Sequence, residues 1–132
     1  MTLAAATTSG NFVLTLHQGF ARAFLIYSLF LAVWGLFLYL RGSNPVGGYL
    51  GALIILEGLA LLQGTVGVIL LGEGHRPHDA LHFLYGIVAV LTLPTAYFMS
   101  DGGTERRDSL LFGLATLFMI GVAIRGITTG AG

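Results

Sequence analysis

The sequence predicts an all-α fold: a transmembrane, up-down four-helix bundle forming one integral-membrane domain over residues 1–132. Three observations carry this prediction. The chain is 55% hydrophobic and only 9% charged, with a mean hydropathy of +0.86, whereas a soluble domain is about a quarter charged. Four apolar runs reach the roughly 20 residues needed to cross about 30 Å of hydrocarbon. The connections between them are short, so consecutive helices should be antiparallel neighbours.

The first span, 12–40, is interrupted only by His17, Gln18 and Arg22. RGSNPVGG closes it with turn residues. The second span, 49–71, carries Glu57 and Gln63 and ends in GEGHRPH. The third, 79–100, carries His82 and a bend expected at Pro94. DGGTERRDS leads into the fourth span, 110–127, which carries Arg125 near its end. The opening MTLAAATTSG has no basic region ahead of an apolar core, so a cleaved signal peptide is not expected.

Composition removes several function classes. Six arginines, no lysine and six carboxylates leave no basic surface for nucleic acid. The absence of cysteine excludes disulfides, thiolate metal sites, iron–sulfur clusters and covalently attached haem. The expected partner is the lipid bilayer. Arg41, Arg106 and Arg107 lie at one end of the bundle, and Arg76 and Arg125 at the other. That bias places both termini on the outer side of a cell membrane.

All four histidines fall at the end that carries the termini. His17 is near the start of the first helix and His82 near the start of the third, and these two helices run in the same direction. His75 and His78 occupy the loop at that end. Polar side chains inside membrane spans are costly and commonly functional. Two ligand sets compete. In one, His17 and His82 bind a haem iron from opposite faces, and Gly64, Gly67 and Gly121 leave room for the plate; close helix packing is the structural alternative for these glycines. In the other, His78 and His82 form an i, i+4 pair that binds copper or zinc with His17 or His75. His17 lies 24 residues before Arg41 and His82 lies 19 before Asp101. That is a depth mismatch of about 7 Å, which leaves His78 as a rival axial ligand.

The segments LHQGFARAFLIYSLFLAVWGL, LEGLALLQGTVGVILLG and ALHFLYGIVAVL resemble one half of haem A synthase, over residues 14 to 125. The resemblance implies a four-helix bundle, non-covalent haem b, and His17 and His82 rather than His78 as its axial ligands. Only one bundle is present in the sequence, so a two-haem arrangement, or activity as a haem-dependent oxidoreductase, would require a homodimer. The catalytic half of that family has Glu three residues before its first histidine, where this chain has Leu14. The match is therefore to the half that holds haem b. A weaker likeness extends to other four-helix membrane b cytochromes.

Arg125, Arg76 and His78 are candidates for haem propionates, since guanidinium suits carboxylates; for the arginines the alternative is an interfacial anchor. Glu57 is expected to pair with Arg22, with Gln63 joining them, in preference to acting as a proton relay. Trp34, Tyr39, Tyr49, Tyr85 and Tyr97 are expected to pack or to sit at the interface, and Phe20 and Phe83 to be core. The expectation is a membrane b-type cytochrome for electron transfer or haem carriage, served by quinol or a redox protein. The alternatives are a copper or zinc protein and a cofactor-free subunit of a respiratory complex.

Overall fold

A computed structural model describes residues 3–77 and 79–131, with side chains from Phe12 to Gly130. Four helices follow one another: α1 (Leu3–Leu40), α2 (Gly47–Gly72), α3 (Leu81–Met99) and α4 (Arg106–Ala131). All four are long and apolar enough to cross a membrane, the spans being Phe12–Leu40, Gly47–Gly72, Leu81–Met99 and Arg106–Gly130. The chain is a multi-pass membrane protein. Many large side chains point outward, among them Ile26, Phe30, Ile54, Val68 and Phe98. In a bilayer these face lipid.

The helices pack in a ring. α1 touches α2 and α4, and α3 touches α4 and, over a smaller area, α2. α1 and α3 therefore lie on one diagonal, and the up-down course brings both termini to the end where α2 leads into α3. The predicted second span is extended by two residues at its start and the fourth by four. The third begins at Leu81 rather than Asp79. Asp79 instead lies in the turn before the Ala80 N-cap, its Oδ1 accepting the Leu81 N–H at 2.9 Å. α3 runs through Pro94 without ending.

The tightest packing lies between α1 and α4, where two glycines meet. A Cβ on Gly35 would overlap the Tyr49 hydroxyl and lie 3.0 Å from Gly113 Cα, and one on Gly113 would lie 3.1 Å from the Leu36 backbone nitrogen. Close backbone approach through small residues is a general device of membrane helix pairs. Two tyrosines stitch α1 to α2. Tyr49 donates to Leu31 O at 3.1 Å, and Tyr27 donates to Ala52 O at 2.9 Å. Tyr49 is fully buried, with Trp34 edge-on to its ring at 5.2 Å. Tyr49 is thus a core residue and not an interface aromatic.

Gly35→Ala should melt lower than the native protein in detergent, by the equivalent of about 1–3 kcal/mol of overpacking. Gly58→Ala is the control, because a Cβ there meets nothing within 4 Å; it should be neutral or slightly stabilising. Equal thermal shifts for the two variants would count against the close approach.

The core is unevenly distributed. Its large members, including Leu31, Leu38, Tyr49, Leu53, Leu56 and Phe112, lie toward the end opposite the termini. α3 buries only Leu93 and Ala96, both in its second half. Its first three turns bury no side chain, and that is the half that carries His82.

Candidate functional site

The two intramembrane histidines meet across the diagonal. His17 projects from α1 and His82 from the first turn of α3, with ring centroids 6.0 Å apart and planes inclined at 72°. The depth mismatch from residue counting does not keep the two rings apart. A Cβ at Gly103 would lie 3.0 Å from the Leu50 side chain, so the α3–α4 connection tucks against the first turn of α2. α3 is short, and its first turn brings His82 to His17.

His82 sits in a cradle made by the last turns of α4. Its Nδ1 lies 2.8 Å from Gly126 O and 3.4 Å from Thr129 Oγ1. A carbonyl oxygen only accepts, so Nδ1 carries the proton and the Nε2 lone pair is left free. Gly130 closes the cradle: a Cβ there would meet His82 Cε1 at 2.8 Å and Nδ1 at 3.0 Å. The Asp79 N–H donates to Thr129 O at 2.8 Å, docking the loop before α3 onto the same turns. None of Gly126, Thr129 and Gly130 was singled out in the sequence. Gly126-x-x-x-Gly130, with its four-residue spacing of small residues, is the signal that marks this face.

His17 is placed by α2. Gln63 Nε2 donates to His17 O at 2.8 Å, and a Cβ at Gly67 would lie 3.4 Å from His17 Cε1. His17 Nδ1 and Gln63 Oε1 are both buried with no hydrogen-bond partner among the described residues. Buried polar atoms of this kind are costly unless a ligand or water satisfies them.

The other candidates are dispersed. Of the three glycines, Gly67 alone borders a histidine ring, while Gly64 and Gly121 face open space. Arg125 extends along the outer face of α4 toward Tyr85, its Nε 3.5 Å from the hydroxyl. Arg76 is exposed in the α2–α3 loop, and His75 is partly buried there. His78 lies outside the described residues. An i, i+4 pairing with His82 needs a helix beginning by residue 78, whereas α3 begins at Leu81.

The expected Arg22–Glu57 pair does not form. Among the described residues the one ion pair joins Arg107 to Asp101, and Glu57 Oε1 is buried without a partner. Arg22 is on the exposed side of α1. Similar depth put the two residues on one level, but they do not face each other. Gln63 serves His17 instead.

Among the described residues no group of three His, Cys, Asp or Glu side chains gathers as a metal site. No protein-family model, curated protein or solved structure matches this chain. The likeness to haem A synthase therefore rests on the quoted motifs.

Proposed function

We propose that the protein is a membrane b-type cytochrome that holds one non-covalent haem between His17 and His82. The observation that carries this reading is the meeting of the two rings across the diagonal, edge-on at 72°. His17 and His82, with ring centroids 6.0 Å apart, would be the two residues to hold the iron, imidazole being a common ligand for it. The residues fit such a group in other respects. Ligating histidines commonly donate their second ring nitrogen to a carbonyl, as His82 does to Gly126. His17 Nδ1 is buried with its hydrogen-bonding capacity unused. The first three turns of α3 carry no fully buried side chain, so this half of the bundle is the less closely packed.

A lone divalent ion fits less well. A structural zinc site takes four protein ligands, and the described residues offer two. Haem brings four ring nitrogens of its own and asks the protein for two. When bound, such a haem supplies one-electron transfer, since two strong imidazole ligands leave no open position on the iron. The chain's own work is to orient His82 through Gly126 O and to position His17 through Gln63. We place the histidine end and both termini on the outer side, following the Arg41, Arg106 and Arg107 bias. There a quinol or an external redox protein is the electron partner.

Protein purified from haem-replete cells should show a Soret band that shifts on dithionite reduction, at about one haem per chain. Stoichiometric copper or zinc without porphyrin would replace this reading with a metal site. A chain with neither would be a cofactor-free subunit.

A further inference from the structure

The outer face of the α3–α4 pair carries a groove of about 330 Å³. Its walls are Leu84, Val88, Phe118 and Val122, and Gly121 opens it by leaving the space of a side chain empty. Tyr85 and Arg125 stand at its mouth. The order of these groups along the membrane normal is informative. Gly121 and Phe118 lie four and seven residues before Arg125, about 6 and 10 Å deeper into the bilayer. Arg125 is five residues from the end of its span at Gly130, and so the polar group nearest the end of the groove.

The guanidinium is held in place by Tyr85, through the 3.5 Å contact with its hydroxyl and a 5.7 Å approach to its ring. Among the described residues no carboxylate lies within ion-pair distance of it. The Asp79 carboxylate acts on it only from beyond ion-pair distance. A cation without a contact partner above an apolar channel matches one kind of molecule, with an anionic head and an acyl tail. We infer that this groove binds an anionic phospholipid, its phosphate on Arg125 and one acyl chain along Gly121 and Phe118. Guanidinium is suited to the paired oxygens of phosphate. A neutral quinone head would leave the cation with only the more distant Asp79 carboxylate as counter-charge. The site is independent of any cofactor at the histidines.

The test is thermal melting of the detergent-solubilised protein with added phosphatidylglycerol or phosphatidylcholine, with retained lipid counted by native mass spectrometry. Phosphatidylglycerol should stabilise the native protein more than phosphatidylcholine. Arg125→Gln should weaken phosphatidylglycerol retention by about fivefold, the worth of one basic residue at an anionic membrane surface, and should erase the difference between the lipids. Arg76→Gln, at the exposed loop arginine of the same end, should keep it. Gly121→Leu, whose Cβ meets no protein atom within 4 Å, should lower retention of both lipids without lowering the lipid-free melting temperature. Equal stabilisation of the native protein by the two lipids would overturn the inference. So would a lipid difference that survives Arg125→Gln, or one that disappears in Arg76→Gln.

Discussion

Replacing His82 with alanine is expected to abolish the Soret absorption entirely, and replacing His17 is expected to do the same. The effect should be all-or-none because the chain has no cysteine and so no thioether tether. A non-covalent haem then depends on its axial bonds together with apolar contact. Neither substitution should unfold the bundle, since both rings are only partly buried and the large core residues lie at the other end. A circular dichroism melt near the native one, with the haem absent, is the expected pair of readings. Gly130→Val supplies a graded version. Its side chain would press on the His82 ring, which already lies 2.8 Å from where a Cβ would stand. Haem content should fall, and the reduced spectrum should shift, with both histidines still present. A double variant lacking His17 and His82 that kept an unaltered spectrum would move the ligands to His75 and His78 and end this assignment.

The sequence carried the fold well, because the bilayer imposes a length on each span and the polar breaks mark every turn. The gathering of His17 and His82 at one end was equally legible, since alternate helices of an up-down bundle run in parallel. What periodicity could not supply was the angle of each residue around its helix. In a helix apolar on all sides there is no polar stripe to say which face turns inward. Arg22 and Glu57 therefore seemed paired by depth, yet Arg22 is exposed. For the same reason Gly64, Gly67 and Gly121 looked equivalent, though only Gly67 borders a histidine. The Gly126–Thr129–Gly130 cradle was missed because its contacts with His82 span 44 to 48 residues of sequence. α3 starts later than its composition suggests because Asp79 bonds through its side chain to the Leu81 N–H in the turn that precedes the helix.

Asp108 is the other residue whose removal should be costly, and nothing in its local sequence sets it apart from its charged neighbours. It is fully buried in the first turn of α4. Its carboxylate accepts the backbone N–H groups of Asp101 at 3.1 Å, Gly103 at 3.1 Å and Glu105 at 3.2 Å. The connection from α3 thus curls around one anion placed at a helix N-terminus, where the helix dipole also favours negative charge. Gly102 and Gly103 make the curl feasible, with φ of 72° and 81°. Beside it, Ser109 donates to Ser43 O and Arg106 to Tyr39 O, both at 2.8 Å, tying the corner to the end of α1. Hydrogen bonds to a charged acceptor contribute more than neutral ones, and stranding their donors adds a desolvation cost. Asp108→Ala is therefore expected to destabilise the bundle by about 3 kcal/mol or more. Asp108→Asn should recover only part of this, since its amide nitrogen cannot accept. The contrast is Asp101→Asn, which removes an Arg107 ion pair whose side chains are 65% and 58% exposed; exposed pairs are worth about 0–1 kcal/mol. Because the curl also sets where α3 ends, loosening it should let His82 drift from His17. Asp108→Ala should then release haem at a lower temperature than Asp101→Asn. If the two variants melt alike, the corner is held by its glycine turn alone, and the carboxylate is a passenger in it.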